Sequence, residues 1–345
     1  MLQILVAILG ISLLVIVHEA GHYLMARAFG IRVTRFSIGF GPVLAKYQPK
    51  DSPTVFQVCA IPFLAYVMIA GMNPADEFDP KDPSLYPNKS ILARTLTIFG
   101  GPFANYLAAS LMVFGLAVSG WREDLPTRPM VVAKFDTDSV AAKAGLQVGD
   151  VVIEADGRKV ADVSELIKVT APRAGKATQY VVKRDGQLLP PITIVPKAKG
   201  ERGVIGVWPK LEAHYQPLSV GDAAMLAVTL PYKLTLANLG NMADLARRRS
   251  TEGITGPVGM GKLVAEQAEQ GVYALVWVLM LISVALGLFN LLPVPALDGG
   301  RLMFLGYEVV TRRRPNERIE AAVHAVGLIF LLGVIALVTL RDVVG

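Results

Sequence analysis

Cysteine is almost missing: Cys59 is the only one in 345 residues. That excludes an internal disulfide framework and a zinc site built from thiolates. Charge is sparse too, at 18% against 53% hydrophobic residues, and the mean hydropathy of +0.47 excludes an ordinary soluble protein. Histidine occurs four times, so any pairing of imidazoles is informative. The net charge is +6, but no basic stripe with interleaved aromatics runs along the chain, so nucleic acid is not an expected partner. No Lys or Arg precedes the first apolar run, which speaks against a secretory signal peptide; its charges come at its end and beyond, at Arg27, Arg32 and Arg35.

Long apolar runs are what the chain does have. Leu2–Phe29, Leu92–Val118 and Val272–Leu292 each reach the roughly 20 residues a bilayer requires, and in a fourth, Ala321–Leu340, His324 is the only ionisable residue. Basic residues orient them. Arg32, Arg35, Lys46 and Lys50 follow the first run, and Arg301, Arg312, Arg313, Arg314 and Arg318 separate the third from the fourth. Two crossings lie between these segments, so they share a face, and their charge makes it the cytoplasmic one. The N-terminus, the 120–270 region and the C-terminus then face outward.

His18-Glu19-Ala20-Gly21-His22 lies near the end of the first run. In H-E-x-x-H the two histidines sit one helical turn apart on one face, so both can reach one metal, and Glu19, one residue off that face, is placed to take a proton from water. From this composition a chance match is roughly a one-in-several-hundred event. The bland reading, polar residues sharing a helix end, is disfavoured because ionisable groups at membrane depth are expensive.

Between the runs the composition changes. Val33–Gly41, Thr54–Ile61 and Phe63–Met72 read as short strands or hairpins, apolar enough to lie against the membrane, and Asn73–Asn88 as an irregular loop. Residues 122–209 form a charged island of short strands (Val131–Phe135, Val151–Ala155, Tyr180–Lys183, Ile192–Val195) and short helices (Ser139–Ala144, Val163–Thr170), with hairpin turns at Asp156-Gly157 and Asp185-Gly186. Residues 210–270 read as amphipathic; Met225–Leu239, followed by Arg247-Arg248-Arg249, is expected as a helix on the membrane surface rather than a fifth crossing. Gly256-Pro257-Val258-Gly259 reads as a turn, and 301–318 as a basic cytoplasmic loop.

A catalytic zinc needs a third protein ligand. The candidates are His214, His324 and Asp298. His18 and His22 lie roughly 24 and 30 Å along the first helix, toward the cytoplasmic side. Asp298 follows the third run at its own cytoplasmic end, where Pro293 and Pro295 unwind the backbone, so depth favours Asp298; its rival role is an interfacial pair with Arg301. Asn290 is a polar side chain within an apolar run, suited either to a substrate strand or to a helix–helix hydrogen bond. Gly101-Pro102-Phe103-Ala104-Asn105 opens the second run with a small-residue face, and Asn105 reads as structural, its rival role being to orient a loop near the site.

These residues carry a resemblance. The chain resembles the site-2 proteases, the intramembrane zinc metalloproteases, and within them the bacterial RseP-type regulator-of-sigma-E proteases. His18–His22, Gly101–Asn105 and Asn290–Gly300 match the family's motifs on three successive spans, and 131–209 is similar to a PDZ domain through Ala144-Gly145-Leu146-Gln147-Val148-Gly149-Asp150. The best-known members of this type carry two PDZ domains; this chain has room for one. The resemblance implies a polytopic α-helical membrane protein with about four transmembrane helices, a membrane-associated β-hairpin region on the cytoplasmic side, and a PDZ domain (α+β) on the outer, periplasmic face of a bacterial inner membrane. It implies one Zn2+ per chain held by His18, His22 and Asp298, with Glu19 catalytic. Asn290 and the hairpin Phe56–Met72, through Phe56, Val58, Ala60, Tyr66 and Met68, would hold an extended substrate. Val204, Ile205, Gly206 and Val207 with Leu166 would form a groove for a peptide or protein C-terminus. The implied substrate is a transmembrane protein, such as an anti-sigma factor already trimmed on the outer face, or a remnant signal peptide. Two readings compete: a membrane-anchored PDZ scaffold, which leaves both zinc motifs without purpose, and an ion or proton transporter, which calls for an internal repeat that the sequence lacks.

Overall fold

The computed structural model describes residues 2–72, 79–200, 202–248 and 256–344, so 73–78 of the expected Asn73–Asn88 loop, and Arg249, lie outside the described residues. In chain order the elements are α1 (Leu2–Ala28), β1 (Val33–Tyr47), β2 (Val55–Ile69), α2 (Ile91–Gly120), β3 (Trp121–Pro126), β4 (Val132–Phe135), α3 (Val140–Lys143), β5 (Val151–Ala155), β6 (Arg158–Lys159), α4 (Val163–Thr170), β7 (Thr178–Arg184), β8 (Gln187–Leu188) and β9 (Ile192–Ile194). There follow β10 (Lys197–Lys199), β11 (Arg202–Val204), β12 (Val207–Pro209), β13 (Leu211–Gln216), α5 (Val220–Arg248), α6 (Pro257–Glu269), α7 (Val272–Leu291), α8 (Asp298–Thr311) and α9 (Glu317–Val344). The chain divides into two compact units, one of residues 1–118 with 219–345 and one of 119–218.

In the first unit, α1, α2, α7 and α9 are long and apolar enough to cross a membrane. They coincide with the four expected runs. β1 and β2 are long, bent strands that pair twice: Phe36 lies opposite both Val67 and Phe56. The segment 33–38 is therefore flanked by 55–58 on one side and 65–69 on the other. The two strands expected at Thr54–Ile61 and Phe63–Met72 are one continuous β2. Its near-unbroken apolar character sustains it, and Pro62 sits at the bend, where its carbonyl accepts a hydrogen bond from Ser12 Oγ on α1. Ala26, Ile31, Val33 and Ile69 bury together and lock the end of α1 to the sheet.

Two expectations for this unit fail. The segment 301–318 is largely helical, because Asp298 through Thr311 carries an amphipathic pattern that buries Leu305 and Glu308. Gly256-Pro257-Val258-Gly259 is not a free turn but the start of α6, with Gly256 as N-cap and Pro257 at the first helical position, where its missing N–H costs nothing. The Asp342 carboxylate accepts from the Gly259 N–H at 2.8 Å, so the end of α9 caps α6. Met225–Leu239 lies within the 29-residue α5, which packs on α7 and meets α2 where Tyr106 Oη and Thr235 Oγ1 are 2.9 Å apart.

The second unit packs a five-stranded sheet of β5–β9 and the short helices α3 and α4 around Met130, Val132, Leu146, Val152, Leu166, Tyr180, Val182 and Ile194. Burying each such side chain stabilises by about 1.5–3 kcal/mol. Asp156-Gly157 and Asp185-Gly186 have positive φ at both positions, as expected for tight hairpins. Asp162 caps α4 through hydrogen bonds from the N–H groups of Ser164 and Glu165. The ladder of β3 with β13 was not anticipated: Trp121–Pro126 pairs along its length with Leu211–Gln216. Its strands are exposed and polar, so no hydrophobic alternation announces them.

Candidate metal centre

Three polar atoms converge where α1 meets the start of α8. His18 Nε2 lies 3.1 Å from Asp298 Oδ2, His22 Nε2 lies 3.3 Å from the same oxygen, and the two Nε2 atoms are 3.1 Å apart. Both histidines are buried, at 6% and 8% exposure. The Glu19 carboxylate lies within 4.8 Å of both imidazoles, and the Val67 backbone N–H on β2 interacts with it.

The outer nitrogen of each ring decides what the inner one can do. His22 Nδ1 donates to the Thr97 carbonyl at 2.9 Å, which leaves Nε2 a bare lone pair. His18 Nδ1 lies 3.1 Å from the Asn105 side-chain amide. Either orientation of that amide fits. With Oδ1 toward the ring, Nδ1–H donates, Nε2 again keeps its lone pair, and Oδ1, otherwise buried without a partner, is satisfied. Asn105 is itself fully buried, and its carbonyl accepts from Ser283 Oγ on α7 at 2.8 Å.

In that orientation two lone pairs and a carboxylate oxygen at these distances repel one another. Asp298 Oδ2 is buried with no hydrogen-bond partner, so its contacts with the rings are close approaches rather than hydrogen bonds. A cation at their centre reverses the sign. Four ligands around a tetrahedral zinc at about 2.0–2.1 Å stand about 3.3 Å from one another, close to the spacing here. The donor set, two imidazoles and a carboxylate, fits zinc.

Glycines let the elements approach. A Cβ on Gly101 of α2 would stand 2.4 Å from His22 Nε2 and 2.8 Å from His18 Nε2, and one on Gly21 would stand 2.1 Å from the Gly100 carbonyl. On the other side, a Cβ on Gly299 would stand 2.0 Å from the Leu292 carbonyl, so α8 can start against the end of α7 only with glycine there.

The remaining predicted residues divide. Val58, Ala60 and Met68 are exposed on β2. Phe56 is partly covered, its ring edge-on to Tyr23 and tilted against Phe36, and Tyr66 Oη accepts from Gln57 Nε2 at 3.2 Å. Asn290 donates to the Leu286 carbonyl of its own helix at 2.9 Å, not to a neighbouring helix. His324, weighed as a ligand, instead accepts from the Ala296 N–H at 2.9 Å, and His214 lies on exposed β13 of the second unit. Leu166, Val204, Ile205, Gly206 and Val207 together line one cleft of about 370 Å³ in the second unit. Thr97, which meets His22 through its backbone carbonyl, and Ser283, which donates its hydroxyl to the Asn105 carbonyl, carry no sequence signal, since any residue offers a carbonyl and hydroxyls in apolar helices more often bond their own backbone.

Comparison with known proteins matches residues 6–334 to the model of peptidase family M50. A candidate zinc metalloprotease of Nostoc sp. is 31% identical over 96% of this chain and 93% of its own. Zinc metalloprotease RasP of Geobacillus kaustophilus is 27% identical over 96% and 95%. Among solved structures, the PDZ domain of an SdrC-like protein from Listeria monocytogenes covers 24% of this chain and 88% of its own, at 24% identity and a TM-score of 0.21.

Proposed function

The chain belongs to peptidase family M50, the site-2 proteases, and is a zinc metalloprotease; from that premise we propose that it hydrolyses peptide bonds inside transmembrane segments of membrane proteins. One observation carries the reading: the metal-binding set closes where α1, a helix apolar enough to span a bilayer, meets Asp298 at the start of α8, just after a second such helix, α7. His18, His22 and Asp298 would hold the zinc. When bound, zinc supplies Lewis-acid chemistry, acidifying water and polarising a carbonyl. Glu19 takes the proton of the attacking water and returns it to the leaving amine as the C–N bond breaks.

A transmembrane helix keeps its amides in its own hydrogen-bond ladder, so it must unwind to be cut. Segment 65–69 of β2 supports a place for it. That segment pairs with 33–38 on one edge, carries no strand on the other among the described residues, and brings Val67 to Glu19. A substrate strand added there would run past the catalytic carboxylate and lie beside Tyr66 and Met68 of the same segment, and the Asn290 side-chain oxygen would bind its backbone. Phe56, packed on Tyr23 and Phe36, would instead shape the sheet from the inner side. The cleft of Leu166 and Val204–Val207 is suited to a peptide C-terminus, consistent with a PDZ role on the outer face of a bacterial inner membrane. A pre-cleaved anti-sigma factor or a remnant signal peptide is the substrate class we favour.

Glu19→Gln tests the chemistry. Purified variant should keep one zinc per chain while cleavage of a model transmembrane substrate falls by about 10²–10⁴-fold, the usual worth of a general base. Cleavage at wild-type rate would end the assignment. Asp298→Ala should lower zinc content; full occupancy would place the third ligand elsewhere.

A further inference from the structure

We propose that α9 positions the third metal ligand: His324 and Gly327 seat the turn that delivers Asp298. The Leu297 N–H donates to the Val294 carbonyl at 3.2 Å, closing a four-residue turn with Pro295 second and Ala296 third. Ala296 has φ +74°, the value a type II turn demands at its third position, normally met by glycine or asparagine. An alanine stays there only if its surroundings hold it.

Three contacts hold it. The Ala296 N–H donates to His324 Nδ1 at 2.9 Å, which puts the imidazole proton on Nε2, a buried atom without a hydrogen-bond partner among the described residues. One turn along α9, a Cβ on Gly327 would lie 2.3 Å from Pro295 Cβ and 2.9 Å from its carbonyl carbon and oxygen, so backbone meets backbone. The Phe304 ring of α8, the helix that begins with Asp298, stands 5.6 Å from the His324 ring. Among the described residues of α9 only Gly327 is buried. The span, whose far end caps α6, is thus anchored near its start at the turn two residues before the ligand. A side chain that serves only to attach a span would not leave a buried Nε2–H unpaired while accepting from the one strained alanine of the motif.

The inference rests on Asp298 being a ligand, and the experiment separates the two. Zinc affinity is measured by chelator competition on full-length protein in detergent, with the visible spectrum of the Co(II)-substituted protein as a report on ligand geometry. His324→Phe keeps ring volume but removes the acceptor. It should weaken zinc binding by about 10–100-fold, the usual effect of losing an outer-shell partner, and alter the Co(II) bands. His324→Asn, whose Oδ1 can replace Nδ1, should stay within a few-fold of wild type. Ala296→Gly added to His324→Phe should recover most of the loss, because glycine adopts positive φ unaided. Unchanged affinity in His324→Phe, or a loss relieved neither by His324→Asn nor by the glycine turn, overturns the proposal. His324→Leu repeats the test should phenylalanine prevent folding. Asp298→Ala with wild-type affinity would instead overturn the ligand assignment itself.

Discussion

Each imidazole of the candidate metal centre has its far nitrogen committed, His22 to the Thr97 carbonyl and His18 to the Asn105 amide, and this commitment is what would turn two ordinary histidines into ligands. The sequence placed His18, His22 and Glu19 through spacing alone, because helical periodicity is local. Asn105 was visible but read as structural, since its contact with His18 crosses from one helix to another. Asn105→Ala should lower zinc affinity about 10–100-fold without removing zinc altogether, measured by chelator competition. Wild-type affinity would show that the amide does not orient His18. Asn105→Asp, which keeps an acceptor at Oδ1, should bind more tightly than the alanine variant.

At the level of elements, the centre depends on α2 and α8 being held in register. Arg94 near the start of α2 donates from Nη1 and Nη2 to the Glu308 carboxylate of α8 at 2.9 and 2.7 Å, and both side chains are about nine-tenths buried. The fork fixes α8 at its far end while glycines 299 and 300 fix it at the start. Removing one partner strands the other: Glu308→Ala should destabilise the protein by about 3–5 kcal/mol, seen as a lower thermal-unfolding midpoint in detergent. The exchanged pair Arg94→Glu with Glu308→Arg should recover part of that loss, and equal midpoints for wild type and Glu308→Ala would show the pair to be inert. Neither residue announced itself, because Arg94 and Glu308 are 214 positions apart and each looks like a membrane-edge charge. The double pairing of β1 was equally hidden, since one strand serving two partners looks no different in sequence from one serving a single partner.

For the molecule as a whole, the two units draw on different physics. The first is held by apolar helices and close backbone approaches, the second by a small hydrophobic core and one buried ion pair. Arg184 donates to Asp150 from Nε and Nη2 at 2.7 and 2.8 Å, and the Gln147 N–H donates to the same carboxylate at 2.9 Å. The Arg184 guanidinium holds the Asp150 carboxyl below its ordinary range. Its unfolded value is about 3.9, so this stabilisation is complete above that pH and is lost as pH falls through the lower folded value. Amide hydrogen exchange in residues 119–218 should therefore stay slow from neutral pH to about 4 and quicken below it, after correction for intrinsic rates. Asp150→Asn should speed exchange at neutral pH and flatten the acid dependence; a variant with the wild-type profile would refute the linkage. The sequence by itself determined the four apolar helices, the zinc motif, the hairpin turns and the helix α4, because hydrophobic period, metal-ligand spacing and turn chemistry are all written within a few residues. Only the tertiary structure decided that 301–318 is largely helix, that β3 pairs with β13, that Thr97 and Asn105 meet the two histidines with Ser283 behind Asn105, and that His324 meets the turn before Asp298. Those outcomes rest on contacts between residues tens to hundreds of positions apart, and a donor or acceptor has no partner until folding supplies one.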